Sequence, residues 1–373
     1  MSSLLHSRNQ YQGRSQWLWA LGGFLILVLI WWLLAESMSV ERPIVDYDSE
    51  LPAGFNAQGE EITTIDRDSL FRADSIKLAN ATEFETIYPL FPPPQQVLKA
   101  FPKLYEEDDL FTNTGISIWR NIQGYFWAIF FALLIGFPLA LVPQIRALFS
   151  KQVDALRYLP LTALTQLFIL WLGIGESMKV SFLAFGILVY LLPVVIQRIN
   201  EVEDVYLKTT FTLGASNWQM IKSVYLPAVL SKLMDDIRVL TAISWTYIII
   251  AELLNRTGGV GDQIWLSSRF GNVDKAFAWL FVIIIVGFLQ DRLFTYMDKR
   301  LFPHKYYKTI FGGLNEVRYG FFIILASIML FLLVGSFVPA VTASLQSLLY
   351  IIVITGTIMI VYGEIRFQSA YAD

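Results

Sequence analysis

The sequence predicts an all-α integral membrane protein of about eight transmembrane helices, a helical core followed by an additional C-terminal hairpin. Three observations carry that prediction. Of 373 residues, 55% are hydrophobic and only 16% are charged, against ~25% charged in soluble domains. The mean hydropathy is +0.53. The charges are also unevenly placed, leaving uncharged runs at Ser15–Ala35, Asn121–Ile145, Tyr158–Gly175, Val180–Gln197 and Tyr319–Gly363. A hydrocarbon core of ~30 Å takes about 20 helical residues to cross, and a helix satisfies its own backbone groups in lipid.

Taken in order, residues 1–15 form a tail and 16–36 the first span. Arg8 and Arg14 precede it as in a signal peptide. The apolar stretch is longer than a signal peptide's core, however, and no small-x-small cleavage site follows, so it reads as a retained helix. Residues 37–116 form an extracytoplasmic segment, whose part at about 38–88 reads as an acidic insertion with a proline-rich edge (Pro92, Pro93, Pro94), partly ordered at best. The next three uncharged runs supply spans two to four. Two shorter runs, Val239–Ala251 and Ala276–Gln290, reach spanning length through polar ends and make spans five and six. The last run has 45 residues, roughly 68 Å as one helix. That is too long for one crossing and right for two, with Gly335, Ser336 and Pro339 at the turn. A basic linker (303–318) precedes this hairpin (319–363), and a tail (364–373) follows it.

Lysine and arginine set the expected orientation. With the N-terminus cytoplasmic, 17 of the 28 basic residues fall on inner segments, and Ser37–Trp119 outside holds 15 acids against six bases. Both termini are then cytoplasmic. Trp31, Trp32 and Trp265 read as interfacial aromatics.

Composition also excludes. There is no cysteine and there are two histidines, His6 and His304, so disulfide scaffolds and most zinc, haem and iron–sulfur sites are out and no metal site is expected. A net charge of −3 gives no general basic surface for nucleic acid. No G-x-x-x-x-G-K-[ST] loop is present.

The segment 198–236 is more than a linker. Gly214-Ala215-Ser216 lies within it and Leu226-Pro227 follows, with Pro227 thirteen residues after Gly214. Glycine permits a turn there, and proline tends to start or kink the next helix, so two short helices at an angle are expected. Trp218, Met220, Ile221 and Val224 make an apolar stripe that needs a partner to cover it.

These residues resemble the second half of the "EAA" loop of binding-protein-dependent ABC importer permeases, in the nitrate/sulfonate/taurine-type branch. Further positions agree in order. Leu90-Phe91-Pro92-Pro93 with Val97-Leu98 precede the second helix, and Ser117, Arg120 and Gly124 mark its entry. Leu156-Arg157 with Pro160, and Ile169 through Glu176 with Lys179, match the third helix and its outer turn. Arg238, Trp245, Ala251-Glu252, Gly259 and Gly261 match the fifth helix and the loop after it. The resemblance covers about 89–302, so 117–302 reads as the permease core. One departure stands out: the family's Glu-Ala-Ala is Lys208-Thr209-Thr210 here. A proline common in the third helix is Gln166. The family also normally lacks the 38–88 insertion and the last two helices.

The resemblance implies one subunit of an importer in the cell (inner) membrane, working by alternating access. It implies a cytoplasmic ABC ATPase dimer that binds ATP and Mg and docks on the loop, with no cofactor in this chain and no enzymatic activity of its own. It further implies an extracytoplasmic solute-binding protein or lipoprotein, a permease homodimer, and membrane lipid around the bundle. The solute class is a small anion such as nitrate, a sulfonate, taurine or bicarbonate. The ATPase-coupling residues are Lys208, Thr209, Thr210, Gly214, Ala215, Ser216, Trp218, Leu226 and Pro227. Lys208 reads either as a solvated inner-face lysine or as a partner for an acid on the ATPase.

Candidates for pathway or gate are Gln166, Ser244, Glu252 and Arg269. Polar groups within spans also serve as interhelical contacts. Glu252 can brace the loop 258–261 by accepting its N–H groups, or line the pathway. Arg120 reads as a snorkelling anchor or an anion ligand. Asp291 and Arg292 suggest an interfacial salt bridge. The competing readings are an ion-coupled secondary transporter, an intramembrane enzyme and a transport-inactive scaffold.

Overall fold

The computed structural model describes residues 14–44, 81, 83–254, 256–306, 312–337 and 342–372. Most of the 38–88 insertion, the tail before Arg14 and the expected turn residue Pro339 lie outside them. The chain divides into two compact units, Met1–Glu107 with Leu266–Ala278, and Asp108–Trp265 with Trp279–Asp373.

The first unit holds helix α1 (Arg14–Ser37), strands β1 (Val40–Pro43) and β2 (Phe84–Ile87), and helix α2 (Pro94–Glu106). Helix α1 is apolar on every side and buries almost nothing but Ala35, which suits a helix whose solvent is lipid. Trp31 is held by specific contacts. Its indole N–H donates to Pro92 O at 3.0 Å and its ring meets Phe91 edge-on at 6.2 Å. Phe91 in turn packs on Phe277 at 5.3 Å. The two strands pair antiparallel, with Arg42 opposite Glu85 and Val40 opposite Ile87. This small ribbon departs from the all-α expectation. Four-residue strands carry too little periodicity to register in a sequence.

The second unit is built on α3 (Leu110–Leu141), α6 (Glu176–Asn200) and α9 (Leu226–Leu254). Helix α3 presents Gly124, Ala128, Ala132 and Gly136, one small residue every fourth position. Opposite lie Leu183, Ile187, Leu191 and Val195, again every fourth, on α6. A Cβ added at Gly124 would come within 2.6 Å of Leu183, and one at Gly136 within 2.7 Å of Val195. Small residues bring the backbones close, and dispersion then holds helices together where lipid offers no hydrophobic drive. From α9, Val229, Leu233, Ile237, Leu240, Trp245 and Ile248 complete the core.

Between α3 and α6 run α4 (Pro143–Leu156) and α5 (Leu161–Leu172), bent 105° at their junction. The expected straight span at 158–175 is thus the second arm of a bent pair. Pro160 supplies the break, because proline lacks the amide that would continue the ladder. Seven described helices are long and apolar enough to cross a membrane, or eight if the bent pair counts as one.

Beyond α9 come α10 (Val260–Arg269), α11 (Val273–Leu301), a 3-10 turn (Pro303–Lys305), α12 (Leu314–Phe337) and α13 (Thr342–Ala372). Helices α12 and α13 form the C-terminal hairpin through a glycine seam. A Cβ on Gly320 would stand 2.7 Å from Gly356 O, and one on Gly363 2.8 Å from Gly313 O. Helix α12 begins inside the expected basic linker and α13 runs through the expected tail. Two ion pairs fasten the open end of the hairpin: Arg366 with Glu316, and Glu364 with Arg300 of α11.

Candidate functional site

The segment 198–236 contains α7 (Asp204–Thr212) and α8 (Asn217–Met220). Between them Gly214 takes φ +77°, a left-handed geometry that costs an L-residue ~1–2 kcal/mol. Ser216 starts the next helix with a capping box. Its Oγ accepts from Gln219 N at 3.3 Å, while its own N–H donates to Gln219 Oε1 at 2.8 Å. The expected second break at Pro227 does not occur. The helix continues from Asn217 to Leu254 through a π-helical stretch, Ile221–Tyr225, where Leu226 N–H donates to Ile221 O. The wider register lies immediately before the residue that has no amide to give, which is how a helix absorbs a proline without ending.

The base of this region is fastened by charge. Arg198 at the end of α6 makes a two-pronged bond to Asp236, both contacts 2.7 Å, and donates to Glu201 at 2.8 Å. Gln197 and Lys232 add two further donors to Glu201. The Arg198 guanidinium holds the Glu201 carboxyl down at about 2. From beyond α11, Lys305 reaches Ser231 O and Asp298, and the Tyr306 hydroxyl also donates to Asp298. Arg238 pairs with Asp291 at 3.0 Å. Asp291 thus bridges helices through Arg238, while Arg292, its expected companion, stacks over Phe288.

What this region leaves open is apolar. Phe211, Leu213 and Trp218 are 73%, 80% and 70% exposed. Lys208 lies 3.6 Å from Asp204, both on the open face of α7. The Thr209 and Thr210 hydroxyls donate to Val205 O and Tyr206 O, so their polarity is used within α7. Ala215 and Leu226 are half-buried; Pro227 is exposed.

At the other end of α3 and α9 sits a buried charge cluster. Arg120 donates through Nη1 to Glu252 (2.7 Å) and Gly258 O (2.7 Å), and through Nε to Glu176 (2.7 Å). Lys179, fully buried, donates to Thr257 Oγ1 at 2.7 Å and pairs with Glu176. Two cations face two carboxylates, so the cluster has no excess positive charge with which to hold an anion. Of the two readings of Arg120, this geometry suits the anchor, although the guanidinium is buried in protein rather than snorkelling to water.

The cluster's second task is the start of α10. A helix leaves its first amides without partners. Here four consecutive amides each find a side chain: Gly258 N–H donates to Asp262 (3.1 Å), Gly259 to Asn113 (2.9 Å), Val260 to Ser117 (2.9 Å) and Gly261 to Glu252 (2.8 Å). Gly258 and Gly259 both have positive φ, and a Cβ on Gly259 would land on the Glu252 carboxylate. Glu252 is therefore in contact with the Gly261 N–H, Ser117 and Arg120 at once.

The other pathway candidates are not gathered with it. Ser244 is fully buried and donates to Thr241 O (2.8 Å), beside the Tyr125–Thr241 contact between α3 and α9. Gln166 is exposed on α5 and Arg269 is exposed at the end of α10. Asn113, Ser117, Glu176, Lys179 and Thr257 complete the cluster without having stood among the site candidates. A buried carboxylate at Glu252 already implied a counter-charge, and Arg120 and Lys179, both at span ends, were the available cations.

The chain thus combines long lipid-compatible helices, an open apolar helix-turn-helix at one end and a charge-neutral clamp at the other. Comparison with known proteins shows what the chain is similar to. Residues 124–303 match the binding-protein-dependent transport system inner membrane component. The chain is 28% identical to the taurine transport system permease protein TauC of Escherichia coli (strain K12) over 225 residues, 59% of this chain and 82% of that protein. It is 29% identical to SsuC of Bacillus subtilis (strain 168), a permease named for aliphatic sulfonates transport, over 57% of this chain and 77% of that one. It is 23% identical to the nitrate import permease protein NrtB of Synechococcus elongatus, over 50% and 68%. A solved structure of an amino acid ABC transporter with histidines aligns at TM-score 0.42 and 15% identity, over 53% of this chain and 95% of that one. Over residues 124–303 the chain is thus similar to binding-protein-dependent transport permeases, among them relatives named for taurine, aliphatic sulfonates and nitrate. That similarity does not favour the scaffold or ion-coupled readings.

Proposed function

We propose that this chain forms the translocation path of an ATP-driven importer for a small sulfonate or comparable anion, coupled to a separate ATPase dimer at 204–227. The observation that carries the reading is the open apolar face of Phe211, Leu213 and Trp218 around the Gly214 turn. Such a face in water calls for a covering partner. The unbroken helix from Asn217 to Leu254 supports a lever: a push at Trp218 is delivered to the core through one rigid rod. Alternating access requires the partner to bind the two states unequally, and a docking element continuous with a core helix supplies a route for that difference. The names of the relatives support the anion class, and a solute-binding protein outside would select among its members. Two copies of the chain would line the path, with both termini cytoplasmic.

The test is reconstitution with the cognate ATPase. Trp218→Asp is expected to weaken assembly roughly thirtyfold, the size of a lost aromatic hot spot, and Gly214→Glu to abolish stimulated turnover. Wild-type binding and turnover in both variants would overturn the assignment.

A further inference from the structure

We propose that the junction of α11 and α13 binds the phosphodiester headgroup of an acidic phospholipid. A cavity of about 350 Å³ lies there, lined by Arg292, Thr295, Tyr296, Lys299 and Arg300 of α11 and by Glu364 of α13. The five α11 positions are i, i+3, i+4, i+7 and i+8, a single helical stripe.

Within that stripe the charges are unequal. Glu364 is already engaged, accepting from Arg300 and, at 3.1 Å, from the Tyr296 hydroxyl. Arg292 and Lys299 are exposed, and among the described residues neither forms an ion pair. Three cations against one carboxylate leave two positive charges pointing at one cavity, with the Thr295 and Tyr296 side chains in its wall. A phosphodiester matches that set: one delocalised negative charge, with oxygens for a guanidinium and an ammonium.

The same stripe continues in the direction of the hydrocarbon as Ile285, Phe288 and Leu289, which are 50%, 56% and 59% exposed. The Arg292 guanidinium lies over the Phe288 ring at 4.9 Å, marking where the polar part of the stripe gives way to the apolar part. A soluble phosphate would use only the polar half. A lipid uses both, its headgroup in the cavity and its acyl chains along Phe288 and Leu289. Basic pockets between spans at the cytoplasmic surface are a known form of acidic-lipid recognition. On the orientation proposed above, the lipid comes from the inner leaflet.

The experiment is native mass spectrometry of the full chain released from nanodiscs containing phosphatidylglycerol and phosphatidylcholine. The wild type is expected to retain phosphatidylglycerol selectively. The double variant Arg292→Gln, Lys299→Gln should reduce that retention roughly thirtyfold, the product of two basic contacts at a membrane surface. Thr295→Trp, which fills the cavity without changing charge, should also displace the lipid, and this keeps the proposal testable if the double variant folds poorly. Lys151→Gln with Arg157→Gln removes equal charge elsewhere and should leave retention intact. Equal retention by the pocket variants and the wild type would overturn the site. So would an equal loss in the Lys151/Arg157 control, which would mean unspecific attraction. Inorganic phosphate that competes as well as the lipid would reassign the cavity to a soluble anion.

Discussion

Arg120 holds two carboxylates and the carbonyl of Gly258 on one guanidinium, and nothing in that set is replaceable singly. Removing one member of a buried ion pair leaves the other charge uncompensated. Arg120→Gln is therefore expected to destabilise the folded chain by about 3–5 kcal/mol, read by unfolding in denaturing detergent. Adding Glu252→Gln should cost less than the sum of the two single changes, because the two share one interaction. Glu201 makes a second prediction. Its carboxyl lies at about 2 in the folded chain against an ordinary 4.5, so its contribution is complete above 4.5 and lost as pH falls from there towards 2. Acid unfolding followed by circular dichroism should show that loss, and Glu201→Gln should flatten it. From the sequence, Glu252 already stood out as a carboxylate near a span end facing a glycine loop. The identity of its partners did not. Arg120 is 132 residues away and Ser117 is 135, and nothing local links them.

At the scale of the element, the Pro227 helix is where local reading and structure part. Proline and glycine thirteen residues apart read as two breaks, and the chain makes only the one at Gly214. Whether a proline ends a helix depends on where the preceding carbonyls go, which the packing of Val229 and Leu233 on α6 decides. Pro227→Ala returns an amide to the ladder, worth ~1 kcal/mol net. Amide exchange across Ile221–Tyr225 should slow by roughly fivefold, and an unchanged rate would show the π stretch to be imposed by packing alone. The stripe Gly124, Ala128, Ala132 and Gly136 was fully present in the sequence as a four-residue repeat of small side chains. It went unremarked beside the longer hydropathy signal, which reports burial in lipid and says nothing about which face meets which helix.

For the whole molecule, hydropathy identified the spans well because each uncharged run satisfies a length requirement set by the bilayer. It missed the bend between α4 and α5, since one proline at a short junction leaves mean hydropathy unchanged. The small β1–β2 ribbon escaped for the opposite reason, its four residues being too few to average. The charge distribution leads to a topology prediction: reporter fusions at residues 157, 232 and 366 should all report the cytoplasmic side, and one at residue 269 the outer side. A fusion at 269 reporting the same side as 232 would invert the proposed docking scheme.

The clamp around Arg120 also has a history written in chain order. A ribosome delivers Arg120 to the membrane 56 residues before Glu176 and 132 before Glu252. Over the first 56 of those residues the guanidinium has neither counter-charge, and from there to Glu252 it has only Glu176. An unpaired cation is costly within hydrocarbon, so stable insertion of α3 is expected to depend on the two later helices that bring these acids. A chain cut short before Glu252 would keep Arg120 with Glu176 alone, so the last part of the core helix α9 is what completes the charge balance of the first.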